Sequence, residues 1–264
     1  MDGDHSLKDF TLKKYTELIK AISKSEYKKI TFKEYFTMTQ PQNMIIIRHD
    51  IDKLPENALK LAVIESSYGI NATYYFRTIK KVFIPEIIKE IAMMGHEIGY
   101  HYETMSQANG NLDYAYFLFC NNLNKLREIA EISTICMHGS SFSKYDNRLL
   151  WKNFEYRSLG ILGEPYLDLN YKNINYFSDT GGTWKDFGQR TRDIIQSDLK
   201  VFLQNTDDLI GQIKSLNFNK AVILMHPDRW NDNIIFWNYE FITKNIKNFI
   251  KLVYNQYRKK SFFL

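Results

Sequence analysis

The sequence predicts an α/β fold with a parallel sheet, built as one domain of 264 residues. First, short runs rich in β-branched and aromatic residues alternate with helical patterns along most of the chain. Second, residues 44–47 are apolar at every position, which is typical of a strand whose two faces are both buried in a parallel sheet. Third, no Pro-, Gly- or Ser-rich linker divides the chain, and its length suits one large domain.

The N-terminal residues 1–40 are predicted as an added helical layer. Apolar residues between Leu7 and Ile22 recur with a period of about 3.6, so residues 6–36 are expected to be helical. Pro41 then precedes the first strand of the sheet. Pro55 occupies the first turn of the following helix, where its missing N–H costs no hydrogen bond.

Seven strands are predicted within the core region 44–230. Their ranges are 44–47, 72–77, 97–103, 134–137, 157–162, 174–177 and 220–225. Helices are predicted between them at 55–68, 85–94, 112–131 and 146–154, with a partly helical stretch at 191–211. Residues 231–264 are predicted as a C-terminal helical segment. Strands that alternate with helices in this way favour a parallel sheet.

Net charge, cysteine count and apolar segments limit which partners and which cellular location the protein is expected to have. The net charge is +5 and the basic residues are dispersed, which does not favour a nucleic-acid partner. Cys120 and Cys136 are the only cysteines, and their spacing indicates neither a disulfide framework nor a metal site. We see no signal-peptide pattern and no apolar run of about 18 residues that would span a membrane. A cytoplasmic location is therefore expected.

Five of the six histidines lie in short polar stretches at the ends of predicted strands. Strand ends that meet at one mouth are where barrel folds place their chemistry. Asp50 and Asp52 are two residues apart in a strand, so their carboxylates share one face. Burying two carboxylates is costly, and a cation between them would offset that cost. The alternative is a polar pair that caps the helix beginning at Pro55.

Further candidates follow the other strands. His101 and Glu103 share a strand face, and His138 and His226 each follow an apolar run. Imidazole nitrogen together with carboxylate oxygen suits Zn²⁺ or a similar divalent ion. For each of the three histidines, a buried structural role remains the alternative. Together they indicate a hydrolytic metal site assembled from distant parts of the chain.

Four more candidate site residues lie at or near the ends of predicted strands. Asp179 precedes a Gly-Gly turn and Trp184, so it is either a site acid or the cap of a tight turn. Arg77 ends the second strand and Glu164 follows the fifth. These two are either ion-pair partners or substrate contacts.

The order of these stretches resembles that of the polysaccharide deacetylases, the carbohydrate esterase 4-like proteins, in the branch with a His-Asp-x-Asp first motif. The resemblance covers roughly residues 44–230. It implies a distorted (β/α)7 barrel with parallel strands. It also implies roles for matching residues: Asp50 as catalytic base, Asp52 and His101 as metal ligands, His226 as general acid, and Asp179 with Trp184 as the groove motif that tunes this acid.

One position departs from the family pattern. The second metal histidine of that family lies four residues after the first, and here this position is Met105, which is a poor ligand for Zn²⁺. The ligand set is then incomplete unless His138 or Glu103 completes it, and a member that binds no metal or is inactive is the alternative. We favour His138, because it lies at the neighbouring strand end and preserves the ligand type.

The predicted function is a metal-dependent hydrolase that removes an N-acyl group, in the first place N-acetyl, from a sugar or glycan precursor. The metal is expected to be Zn²⁺, with Co, Ni or Fe as alternatives. Arg77, Glu103, Glu164 and Trp184 are predicted to contact the substrate, which could be nucleotide- or lipid-linked. A non-catalytic carbohydrate-binding module on the same fold and a hydrolase of another non-peptide C–N bond remain the alternatives.

Overall fold

The computed structural model describes residues 9–139, 143–185, 195, 199 and 201–232. The predicted C-terminal helix lies almost wholly outside these residues, as does most of the predicted helical stretch before residue 201. Within them no helix has the length and apolar character that a membrane span requires.

Seven parallel strands form one sheet, which confirms the predicted α/β class. In chain order they are β1 (Lys28–Lys29), β2 (Met44–Ile51), β3 (Thr73–Phe76), β4 (Glu97–Tyr102), β5 (Ile132–Met137), β6 (Asn175–Ser178) and β7 (Lys220–Met225). Their spatial order is β5-β4-β3-β2-β7-β6, and β1 pairs with the start of β2. Strands β2 to β5 are neighbours both in the chain and in the sheet, as are β6 and β7, and β7 returns to β2, as in the strand order of a (β/α) barrel that is open between β5 and β6.

Eight α-helices are present in the described residues. They are α1 (Leu12–Lys24), α2 (Phe32–Thr37), α3 (Pro55–Ser67), α4 (Pro85–Met93), α5 (Thr104–Gln107), α6 (Leu112–Arg127), α7 (Pro165–Asp168) and α8 (Thr206–Lys214). Five of them begin with a side-chain cap, whereas α3 and α4 begin with proline. Thr31 and Glu34 form a capping box at α2, and Asn111 caps α6 through its side chain.

The predicted strand at 157–162 is wrong. Tyr156–Leu159 is a 3₁₀ helix that ends at Gly160, whose φ of +74° lies in the left-handed region. Among the residues that the structure describes, a single parallel bridge, between Thr134 and Gly163, continues the sheet beyond β5. Over the described ranges no strand pairing joins Gly163 to β6, so the barrel is interrupted at this point.

The predicted helix at 6–36 is also wrong in part. Helix α1 ends at Lys24, and β1 and α2 follow it before residue 40. The Tyr27 hydroxyl donates to the Phe218 carbonyl oxygen at 2.5 Å, and β1 pairs with β2. These tertiary contacts stabilise the extended conformation of residues whose own preferences are weak.

The two faces of β2 have different surroundings. Met44 and Ile46 lie in the barrel interior, in an apolar cluster with Tyr75 and Cys136, while Ile45 and other residues of the opposite face pack beneath the helices. Since side chains alternate along a strand, the interior row continues through positions 48, 50 and 52. The apolar interior therefore gives way to charged groups at the carboxyl end of the strands.

Candidate active site

The candidate site lies at the carboxyl ends of four parallel strands. Asp50 lies near the end of β2 and Asp52 directly after it, His101 lies in β4, His138 follows β5 and His226 follows β7. Strand pairing of β2 with β3 and β7, and of β4 with β5, aligns these ends. Residues that are 176 positions apart in the sequence are thereby brought to one mouth.

Asp50 is held by Arg48 on the same strand face. Arg48 donates from Nε to Oδ1 at 2.8 Å and from Nη2 to Oδ2 at 2.7 Å, and its side chain is fully buried. The Tyr166 hydroxyl accepts from Nη2 at 3.0 Å. Burial alone would raise the pKa of Asp50, but Arg48 and then His101 lower it below its ordinary value. Asp50 is therefore an ionised carboxylate in a fixed orientation.

Asp52, His101 and His138 form a cluster with the composition of a metal site. Asp52 Oδ1 lies 3.6 Å from His101 Nε2 and 3.4 Å from His138 Nε2. One ligand atom from each residue lies within 4.8 Å of those of the other two. Two imidazole nitrogens and one carboxylate oxygen are a common protein ligand set for a divalent ion such as Zn²⁺.

The hydrogen bond made by His101 leaves its Nε2 without a proton in the neutral ring. His101 Nδ1 lies 3.0 Å from the Cys136 carbonyl oxygen, which can only accept, so Nδ1 carries the hydrogen of that ring. His138 Nδ1 lies 3.0 Å from Glu103 Oε2, in a close contact that lacks hydrogen-bond geometry. His101 Nε2 lies 3.4 Å from Asp50 Oδ2, and the Nε2 atoms of both histidines lie within 3.6 Å of Asp52 Oδ1. That oxygen is buried and has no hydrogen-bond partner.

A cation fits this arrangement because it satisfies three electron-rich atoms at once. Burial would raise the pKa of Asp52, but positive charge on His138 and His101 lowers it well below its ordinary value, and a bound cation would supply that charge in place of the two ring protons. Asp50, His101 and Cys136 also lie close enough to form a ligand set. In that set both Asp50 oxygens already accept from Arg48, so the set containing Asp52 fits a metal better.

His226 forms a second polar group with Asp179. His226 Nδ1 lies 2.6 Å from Asp179 Oδ1, and the His226 backbone N–H donates to Oδ2 at 2.9 Å. Arg229 Nη1 and Trp230 Nε1 also donate to this carboxylate, at 2.6 and 3.1 Å. Nδ1 is thus engaged, and Nε2 is the ring nitrogen that remains for a substrate.

The charges in this group favour a protonated imidazole. Burial would raise the pKa of Asp179, but Arg229 and His226 lower it far below its ordinary value. Burial and Arg229 would lower the pKa of His226, yet Asp179 and Asp52 raise it above its ordinary value. His226 can therefore act as a proton donor near neutral pH.

Four residues that the sequence predicts as substrate contacts have well-defined partners. Arg77 forms an ion pair with Glu103, with Nη2 donating at 2.8 Å. Its partner is thus Glu103 and not Glu164, the partner that the sequence suggested. Glu164 is fully buried and accepts from three backbone N–H groups, including that of Met137 at 2.9 Å. Burial raises the pKa of Glu164 to about 7, although these donors and Arg48 lower it.

Trp184 and Met105 both belong to the apolar core. Trp184 is 5% exposed, donates from Nε1 to Thr206 Oγ1 at 2.9 Å and stacks on Phe10. Its ring is therefore covered by the protein. Met105 is buried in the same cluster, outside the ligand set. Substrate contacts by Trp184, Glu164, Arg77 and Glu103 remain predictions.

Sequence reasoning did not assign roles to Arg48, Tyr166, Arg229 and Trp230. Arg48 shares a strand face with Asp50, and this period of two was a usable signal for the pair. Arg229 and Trp230 follow His226 within four residues, in and after the 3₁₀ turn Pro227–Arg229. Their contacts with Asp179 depend on the β6–β7 pairing and carry no local signal.

No protein-family model and no curated protein matches this chain. Among solved structures, the chain is similar to PdaA of Bacillus subtilis, a family 4 carbohydrate esterase. The two are 13% identical over 87% of this chain and 82% of that one, with a TM-score of 0.42. The peptidoglycan N-acetylglucosamine deacetylase Bc1960 is 16% identical over 78% of this chain and 85% of its own, with a TM-score of 0.41.

The chain is also similar to BA3943 of Bacillus anthracis, a CE4 family pseudoenzyme, with 13% identity and a TM-score of 0.42. The match covers 78% of this chain and 61% of the pseudoenzyme, so it spans about three fifths of that protein's length.

Proposed function

We propose that this protein is a metal-dependent hydrolase that removes an N-acyl group from a sugar. The observation that carries the proposal is the convergence of His101 Nε2, His138 Nε2 and Asp52 Oδ1, of which Asp52 Oδ1 is buried without a hydrogen-bond partner. A divalent ion is the ligand that such a set binds best. The sugar and the acyl group come from the resemblance of the motif order to polysaccharide deacetylases.

A metal ion held by Asp52, His101 and His138 would supply Lewis acidity, polarising an amide carbonyl and lowering the pKa of water toward about 7. Asp50 accepts the proton of the attacking water. Arg48 keeps Asp50 ionised and fixes both of its oxygens, so the base is available without rearrangement.

His226 donates a proton to the departing sugar nitrogen. Asp179 binds its Nδ1 and raises its pKa, which provides the imidazolium form needed for this step. Base and acid are thus two different groups whose surroundings shift their pKa values in opposite directions. This separation is what one cycle of amide hydrolysis requires.

The test is acetate release from N-acetylglucosamine, its short β-1,4 oligomers and its uridine diphosphate conjugate, using protein reconstituted with Zn²⁺. We expect turnover of one of these substrates, and a loss of about 10²-fold or more in His226→Ala with unchanged zinc content. Asp52→Ala should lose both zinc and turnover. Equal turnover in His226→Ala would exclude His226 as the acid.

Full zinc occupancy in Asp52→Ala would contradict the ligand assignment. Sugar binding that chelators do not affect, without release of an amine, would favour a binding module over an enzyme.

A further inference from the structure

We propose that Glu103 and Arg77 are positioning residues that fix His138 for metal binding, and that they do not act as substrate contacts. This inference rests on the proposed function, because it concerns the same metal site. It assigns a task to two charged side chains that the hydrolytic steps leave unused.

Glu103 lies against the ring nitrogen of His138 that faces away from Asp52. Glu103 Oε2 lies 3.0 Å from His138 Nδ1, without hydrogen-bond geometry, while His138 Nε2 faces Asp52 Oδ1 at 3.4 Å. A carboxylate can only accept, so its place beside Nδ1 favours the ring form with hydrogen on Nδ1 and a lone pair on Nε2, and a small rotation of the ring would complete the hydrogen bond. A carboxylate behind a histidine ligand both orients the ring and increases its basicity.

Arg77 holds Glu103 in this position. Arg77 donates to Glu103 Oε1 from Nε at 3.0 Å and from Nη2 at 2.8 Å, and Nη2 also lies 2.8 Å from Oε2. The remaining nitrogen, Nη1, donates to the Asp52 backbone oxygen at 3.1 Å. A guanidinium presents these donors in one rigid plane, which a lysine cannot reproduce.

The contacts therefore form a closed circuit through four strand ends, those of β2, β3, β4 and β5. It runs from the Asp52 backbone to Arg77, on to Glu103, then to His138 and back to the Asp52 carboxylate. Both side chains are largely buried, with 17% of Arg77 and 11% of Glu103 exposed. Breaking the circuit should allow His138 to rotate or to change its ring form while the strands themselves remain intact.

The experiment is the Zn²⁺ dissociation constant of the purified protein, measured by competition with a chromophoric chelator. Glu103→Gln should weaken zinc binding by about 10- to 100-fold, the range found when such supporting groups are removed. Arg77→Lys should weaken it by a smaller factor and serves as a second variant if the first folds poorly. Circular dichroism establishes folding in each case.

Glu97→Gln is the matched control. Glu97 is buried on the same face of the same strand and accepts from the Lys33 backbone N–H and the Thr73 hydroxyl. It lies six residues from Glu103, about 20 Å along β4. The same substitution there should lower stability without changing zinc affinity.

A double-mutant comparison separates positioning from a general structural effect. In a His138→Ala background, which no longer retains metal on purification but whose residual zinc binding is followed by titration to millimolar zinc, Glu103→Gln should change zinc affinity by less than about threefold, because the group that it positions is gone. An equal loss in both backgrounds would overturn the inference, and so would unchanged affinity in Glu103→Gln alone. In either of these cases the proposed function would stand, whereas absence of zinc binding by the wild type would overturn both.

Discussion

At the scale of single residues, the state of Asp50 depends on a guanidinium two positions earlier in the same strand. Arg48 is fully buried, lies over the Tyr166 ring at 4.7 Å and binds both Asp50 oxygens. A buried carboxylate without such a partner would bind a proton at higher pH. Arg48 is therefore the main reason why Asp50 is ionised at neutral pH, as its proposed role as a base requires.

Replacing Arg48 by lysine tests this dependence. Lysine keeps the positive charge but loses the paired hydrogen bonds, so the pKa of Asp50 should rise. The base form exists above that pKa, and the acidic limb of the profile of kcat/KM against pH should move to higher pH. The measurement is this profile for both proteins, with folding verified by circular dichroism. An unshifted acidic limb would show that Arg48 does not set the ionisation of the base.

The candidate ligands could be predicted from residue type and position, because carboxylates and imidazoles at strand ends stand out in an apolar context. The place of His138 beside Asp52 and His101 could be predicted for the same reason. The environment of Trp184 could not be predicted from the sequence. A tryptophan beside a Gly-Gly turn looks the same in sequence whether its ring faces a groove or, as here, packs on Phe10.

At the scale of elements, Glu164 joins β5 to α7. Its Oε1 accepts from the Met137 backbone N–H at the end of β5, and its Oε2 accepts from Tyr166 and Leu167 at the start of α7. His138 directly follows Met137, and Tyr166 contacts Arg48. The Glu164 side chain thus connects the backbone next to His138 with the backbone of Tyr166, the residue that contacts Arg48.

Glu164→Gln should destabilise the fold by about 1–3 kcal/mol, since the amide NH₂ would face backbone N–H donors and leave them unsatisfied. Chemical denaturation measures this. Glu155→Gln is the control, because Glu155 accepts from the Arg157 backbone N–H at the exposed start of a 3₁₀ helix. Its effect should stay within about 0.5 kcal/mol. Equal effects of the two substitutions would contradict the role given to Glu164.

Helices and strands with a long apolar pattern were predicted correctly from the sequence. The predictions failed where strand pairing determines the local conformation. The first four residues of β2 and the last five of β7 are apolar runs, which are typical of a strand buried on both faces. The two-residue strand β1 has no such pattern and exists through its pairing with β2. Residues 157–162 contain strand-like residues, but Gly160 and the turn around it prevent a ladder.

At the scale of the whole molecule, the parallel strand order explains how the site is assembled. Successive β–helix–β units place neighbouring strands side by side with all carboxyl ends together. The alternation was visible in the sequence, so the common mouth could be predicted. The interruption between Gly163 and β6 could not, because it depends on the irregular path of the chain there.

A buried polar network also connects the N-terminal layer to the barrel behind the site. Glu65 of α3 accepts from the Tyr15 hydroxyl of α1 and the Tyr74 hydroxyl of β3, both at 2.5 Å, and lies 2.8 Å from His49 of β2. His49 precedes Asp50 on the opposite strand face. The periodicity of α1 showed only its apolar side, so this polar anchorage could not be predicted from the sequence.

The central claim is that Asp52, His101 and His138 hold one divalent ion. The most direct test is elemental analysis of wild-type protein purified without added metal, beside His101→Ala and His138→Ala. We predict about one Zn, Co, Ni or Fe per chain in the wild type and its loss in both variants, because a three-residue site cannot spare a ligand. Wild-type protein that takes up no metal even after reconstitution, or variants that keep full occupancy, would contradict the account.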